Sequence, residues 1–229
     1  MSGPHLVNDP MADAFRQKNG IPTGLKVSLG DPDKHEGAVR TAINNAHNAA
    51  REVLAKVAKL PGDETRTEVA KHHVASQIFA KGEAVILQSQ ATIQGTAEAL
   101  EAEAVAEMKS GFETDTARAA IHTEIRSWIR EQAKAKDGIA AIRKAINGNF
   151  EVAAVICHSP SFLLGLADEP LGNMMEEALR GWKPDANAKL DKAVALKELA
   201  KKYTPFVRGL GSSSFNATVA AKWNNRVDA

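Results

Sequence analysis

The sequence predicts an all-α fold, an antiparallel helical hairpin or bundle with long helices, on three observations. Hydrophobic residues make up 44% of the 229 residues while aromatics make up only 5%, so alanine and the aliphatics carry the apolar content. Alanine costs least in a helix and gives a pleated surface little to pack. Apolar residues recur at alternating intervals of four and three, the signature of one helix face, whereas no convincing length of sequence alternates with the period of two that a strand needs.

Residues 1–30 hold Gly3, Pro4, Pro10, Gly20, Pro22, Gly24 and Gly30. Only MADAFRQK between them suits a helical turn or two, and the segment reads as an extended N-terminal arm. Asp31-Pro32 is a helix start, an acid at the cap followed by proline at the first helical position. From there Val39, Ile43, Ala46, Ala50, Val53, Val57 and Leu60 form a narrow seam. Pro61-Gly62 ends that helix, and Asp63 can cap a second one running to about Lys109. In it Phe79, Ile86, Ile93 and Leu100 repeat every seven residues, with Gly82, Ser89 and Thr96 three residues on. A large-then-small seam lets a neighbouring helix approach closely. Gly82 and Gly95 inside one helix point either to such packing or to a kink.

Gly111 is a stop, and Thr114 or Asp115 can cap a third helix with Ile121, Ile125, Trp128, Gln132, Ala135, Ile139, Ile142 and Ile146, ending at Asn147-Gly148. Residues 149–158 form a short apolar helix, Ser159-Pro160-Ser161 a turn, and residues 162–166 an apolar plug. Asp168-Glu169-Pro170 starts a helix with Met174, Met175, Leu179 and Trp182. Lys183-Pro184-Asp185 punctuates before a helical stretch with a basic excess. The last segment mixes Gly, Ser and Asn with Phe206, Phe215 and Trp223, and reads as a tail irregular alone and ordered by a partner. The organisation expected is therefore an arm (1–30), a helical body (31–204) and a docking tail (205–229).

Charge narrows the function classes. With 29 Lys+Arg against 28 Asp+Glu, the formal charge of +1 gives no general field for nucleic acid or anionic lipid, so DNA contact is expected to be incidental. One cysteine makes no internal bridge, and no zinc-site spacing occurs. The first residues lack a basic start with an apolar run, and no eighteen consecutive apolar residues occur, so a soluble protein made in the cytosol is expected.

The chemical candidates are few. Cys157 and His158 are adjacent, and neighbours on a helix point about 100° apart, which argues against a catalytic pair. Their apolar surroundings raise a thiol's pKa, so Cys157 reads as a buried structural residue. His72, His73 and His122 lack the glutamate three residues earlier that di-iron bundles use; Glu68 stands four before His72. The two adjacent histidines read as straddling the edge of a helical seam. RGLGSSSFN (208–216) lacks the Gly-Lys-Ser/Thr ending of a phosphate loop. Lys189, Lys192, Lys197, Lys201, Lys202 and Arg208 make a solvated basic face, with Tyr203 alone giving no stacking platform. No catalytic, cofactor-binding or metal-ligating residue is assigned, and no cofactor or small-molecule substrate is expected. The expected partner-binding residues are Phe206, Phe215 and Trp223, aromatics isolated in a polar segment, and Met174, Met175 and Trp182, a Met-rich apolar face.

The stretch FEVAAVICHSPSFLLGLADEPLGNMMEEALRGWKP, residues 150–184, resembles small helical proteins that tailed bacteriophages encode among their virion genes. The shared features are a short apolar helix closed by Ser-Pro-Ser-Phe, then Leu-Leu-Gly-Leu, then an acid-capped helix. The resemblance implies a non-enzymatic, multi-copy virion component such as a head-to-tail adaptor: a ring-like homo-oligomer joining portal and tail proteins, made in the host cytoplasm and located in the virion. The alternative is a soluble helical adaptor or regulatory protein of cellular origin, contacting partners through Met174, Met175 and Trp182.

Overall fold

The structure, a computed structural model, describes residues 5–112 and 116–225. It is 85% helical, with no strand among the described residues. The α-helices are α1 (Pro10–Asn19), α2 (Pro22–Leu29), α3 (Gly37–Val57), α4 (Glu68–Gly111), α5 (Ala119–Ala133), α6 (Gly138–Gly148), α7 (Phe150–His158), α8 (Ser161–Leu164), α9 (Asp168–Trp182), α10 (Pro184–Lys201), α11 (Tyr203–Ser214) and α12 (Ala217–Ala221). They group into two compact units, Met1–Ala97 with Val194–Ala229, and Glu98–Ala193. The division falls inside α4 and inside α10.

In the first unit the expected arm is corrected: residues 10–29 are two helices. Pro10 and Pro22 each sit in the first turn of a helix, where the missing N–H costs nothing, and Asp9 caps α1 by accepting the Met11 N–H at 3.1 Å. Gly20 and Gly30 mark helix ends. Gly30 adopts φ 98°, a conformation that favours glycine, and its Cα lies against the Leu199 side chain. Ala12, Leu25 and Leu29 are buried, and α1 and α2 pack on α11.

The seam read on α3 is buried in full, from Val39 through Val57 and on to Leu60. The Asp31-Pro32 start signal operates, yet it launches only a 3-10 turn over Pro32–Lys34, and α3 begins at Gly37. Asp63 likewise caps a turn, accepting the Thr65 N–H at 3.0 Å, and α4 starts at Glu68. Thr67 stands before it and accepts the Ala70 N–H at 3.3 Å. Helix α4 runs unbroken through Gly82 and Gly95, and close packing is found at the first of them only. At Gly82 a β-carbon would collide with Val53 Cγ2, so this glycine admits α3. Ser89 and Thr96 return their hydroxyls to the Val85 and Thr92 carbonyls at 2.8 Å each.

The expected irregular tail is also helical. Phe206, Val207 and Leu210 are buried on one face of α11. Ser213 and Ser214, which read as loop residues, instead donate their hydroxyls to the Leu210 carbonyl. Asn216 caps α12 by accepting the Thr218 and Val219 N–H groups at 3.0 and 3.2 Å.

In the second unit the third helix divides into α5 and α6 at residues 134–137. A β-carbon at Gly138 would strike the Gln132 carbonyl, so the chain turns where the sequence pattern continues. The expected caps Thr114 and Asp115 lie outside the described residues. Ile129, Ile142 and Ile146 meet the buried face of α7, Val152–Ile156, together with Leu164, Met174 and Leu179 in one core. Ile121 and Ile139, counted in the seam, face outward.

Candidate functional site

The connection from α7 to α9 presents the most exposed aromatic ring among the described residues whose side chains are characterised. Asn149 caps α7 by accepting the Glu151 and Val152 N–H groups at 2.9 and 3.4 Å. Near the other end of α7, burial pushes the Cys157 thiol up to about 12, so it stays protonated at neutral pH; His158 beside it is exposed. Pro160 then leads, in an extended conformation, into the single turn α8. Leu164 is wholly buried, while Gly165 turns the chain at φ 65°. Arg130 on α5 donates its Nη1 to the Leu163 carbonyl at 2.9 Å, and the Leu166 N–H reaches back to the Ser161 carbonyl at 3.3 Å. The expected plug over 162–166 is thereby corrected: Leu164 and Leu166 fill the core, but Phe162 is 77% exposed and Leu163 is exposed beside it. Gly165 and the pinned carbonyl hold the backbone so that adjacent leucines alternate between core and solvent.

Arg130 also donates to Ser127 Oγ at 3.4 Å, and Arg126, one turn earlier on α5, to Thr123 Oγ1 at 3.4 Å. The exposed ring therefore stands on a segment packed against α5, where Arg126 and Arg130 are matched in number by Glu124 and Glu131.

The residues expected to bind partners are largely engaged within their own units. Met174 is fully buried and Phe206 nearly so, which corrects both as exposed anchors: Met174 fills the core under α7, and Phe206 lies 5.3 Å from the Phe15 ring. Trp182 is half-buried, donates Nε1–H to the Ile146 carbonyl at 2.8 Å, and meets Phe150 edge-on at 5.6 Å. Met175 is half-buried on the same core. Phe215 is half-buried and tilts against Phe79 at 5.7 Å. Trp223 stacks on His73, with ring centroids 5.1 Å apart and planes 14° from parallel.

The last contact ends a surface feature of the first unit. Between α3 and α4 lies a cleft of about 260 Å³ lined by Val53, Ile78 and Val85 together with Glu52, Lys56 and Lys81. A shallower depression beside it is lined by Arg66, Ala70, His73 and Trp223. His73 Nε2 is 3.1 Å from Gln77 Nε2. His72, the preceding residue, is buried, and its Nδ1 accepts the backbone N–H of Asn216 at 3.0 Å. Desolvation holds its pKa below the ordinary value of 6.5, against the opposing pull of Glu68. The two histidines thus divide as read from the sequence, one inward and one at the edge of the seam. No group of three or more His, Cys, Asp or Glu side chains among the described residues is placed to hold a metal ion.

Comparison with family models, curated proteins and solved structures finds no match to this chain.

Sequence reasoning missed Phe162 and the tie between His72 and Asn216. For Phe162 a signal existed: proline two residues before and glycine three residues after imply a turn too tight to bury three successive apolar residues. For His72 none existed, since its partner lies 144 residues away and offers only its backbone.

Proposed function

We propose that the chain is a non-enzymatic assembly protein, a multi-copy virion component of the head-to-tail adaptor type that joins portal and tail proteins. The observation that carries this reading is the braced turn at residues 159–165, inside the segment that resembles tailed-phage virion proteins. It sets Phe162 in solvent on a backbone fixed by Leu164, Gly165 and Arg130. An aromatic ring on a rigid support gains area on entering a partner's pocket at small ordering cost, which is how interface anchors act. Repetition of one such contact between identical subunits is heterologous and closes into a ring when its rotation permits. The near-neutral charge suits protein contacts, with DNA touched only in passing.

Light scattering after size-exclusion chromatography tests self-assembly. A discrete higher oligomer is expected, shifting towards monomer in Phe162→Ser with the circular dichroism of the fold unchanged. Particle preparations from cells carrying the gene should also retain the chain on capsids. A lone monomer at the highest attainable concentration, together with absence from purified capsids, overturns the reading.

A further inference from the structure

We propose that His72 is the catch of a clasp released by acid: protonating its ring frees the segment from Asn216 to Trp223 from the start of α4.

The clasp has three parts. Asn216 gives its backbone N–H to His72 Nδ1 at 3.0 Å and caps α12 with its side chain. Phe215, just before it, lies on Phe79 of α4. Trp223, just beyond α12, stacks on His73. Two adjacent histidines on α4 therefore hold both ends of a short helix, one through a hydrogen bond and one through a ring face. Helix α12 spans only Ala217–Ala221, and Ala220 is its one buried residue. A helix so short has little stability of its own and depends on its attachments.

The His72 bond works with one form of the ring only. Nδ1 must carry a lone pair to accept the Asn216 N–H, so the proton of the neutral ring sits on Nε2. Adding a proton from solvent to Nδ1 makes it a donor facing a donor and places a charge in a buried site; both costs disappear if the segment swings away. The charged surroundings do not reverse this. On α4, Glu68 one turn earlier favours the charged ring, and Lys71 beside it is engaged with the Pro61 carbonyl and with Glu68. At the end of α11, Arg16 donates to the Ser213 carbonyl and pairs with Asp13, and Arg208 lies further back on that helix. The end of α3 brings Lys56, paired with Glu52, and Lys59. Helix α12 has no ionisable side chain, and Lys222 follows it. Among these groups Glu68 is the one anion acting on the ring, and burial outweighs it.

The sign follows from where the ring titrates. With the clasp closed, His72 takes its proton below 6.5; with the clasp open, it titrates near that ordinary value. The open form binds the proton more tightly, so closure is complete above pH 6.5 and is lost as the pH falls through the closed-state value. Acid thus takes Trp223 off the face of His73. This inference stands apart from the proposed assembly role and holds for the isolated chain.

Fluorine NMR of the full chain labelled with 5-fluorotryptophan reads the clasp directly, the Trp223 resonance being assigned with Trp223→Phe. Between pH 7.5 and 5 that resonance should move to the position it takes in urea, while those of Trp128 and Trp182 stay. Hydrogen exchange over residues 216–223, corrected for the intrinsic rate, should lose protection about tenfold for each unit by which closure holds the histidine down. His72→Asn keeps an acceptor near Nδ1 and cannot protonate, so its Trp223 signal, although still stacked on the His73 ring, should not reach the urea position between pH 7.5 and 5. Should that variant fail to fold, the imidazole carbon shifts of His72 in the natural chain must titrate together with the Trp223 signal. An unmoved Trp223 signal, the same movement in His72→Asn, or titration of His72 at a different pH overturns the proposal.

Discussion

At Gly82 the side of α4 is close enough to α3 that a single added methyl group would meet Val53 Cγ2, whereas at Gly95, thirteen residues on, a β-carbon finds open space. The same substitution at the two positions should therefore act in opposite directions. Val53 is β-branched and 2% exposed, so it has little freedom to withdraw, and Gly82→Ala should cost about 1–3 kcal/mol through overpacking. Gly95→Ala should stabilise by about 0.5–1 kcal/mol, because alanine loses less backbone freedom in a helix. Urea denaturation followed by circular dichroism reads both as shifts of the midpoint; equal shifts would show that the two glycines have the same surroundings. Gly82 was legible in advance, since it stands in a heptad position beside Phe79 and Ile86 where a small residue admits a neighbour. Gly138 was not, because its clash is with the Gln132 carbonyl and depends on a turn that the apolar pattern passes over.

At the scale of elements, the extremities account for most of what the sequence concealed. Proline and glycine were read as breakers over residues 1–30, yet each proline there that begins a helix stands where a first-turn residue loses nothing by lacking an N–H. Position within the helix decides the meaning of these residues, and position is known only once the helix is. The resulting pair α1–α2 is core material: Leu25 and Leu29 are fully buried, the Tyr203 hydroxyl donates to the Leu29 carbonyl at 3.0 Å, and Arg16 donates to the Ser213 carbonyl at 2.6 Å. Removing residues 1–30 should consequently unfold more than the residues removed, leaving Phe206, Leu210 and Tyr203 without cover. The expected result is a loss of helical signal well beyond thirty residues' share and binding of a hydrophobic dye. A truncated chain melting at the temperature of the full one would mean that the pair is dispensable. Helices α3 and α4 were legible because long amphipathic periodicity averages over local irregularities; the division of α5 from α6 was not, because Ala135 carries the seam on between Lys134, Lys136 and Asp137 and no strong stop signal precedes Gly138.

For the whole molecule, the helical class followed from composition and periodicity, while the two-unit division had no sequence signal: it falls inside α4 and α10, where the helical pattern is unbroken. No helix among the described residues is long and apolar enough to cross a membrane. One global property can be derived from charge. His47 and His72, both in the first unit, are held below their ordinary 6.5, in each case chiefly by desolvation. Groups depressed in this way favour the folded state above the unfolded value and withdraw that support as the pH falls through the folded one. The carboxylates of Asp31, held low by Lys26, and of Asp63, held low by Thr65, titrate below 3.8 and stay out of this window. The urea midpoint of the first unit should therefore fall between pH 7.5 and 5, and His47→Gln with His72→Asn should flatten the decline. A midpoint constant over that range would show that neither ring is neutral because of folding.

The turn that carries Phe162 also bears on kinetics. Its backbone is already immobilised by the Gly165 turn and the Arg130 bond, so a counterpart meeting it has no loop to freeze and no slow rearrangement to await. Capture at that ring would then be governed by the frequency of correctly oriented collisions, and differences among counterparts would be felt in how long each stays.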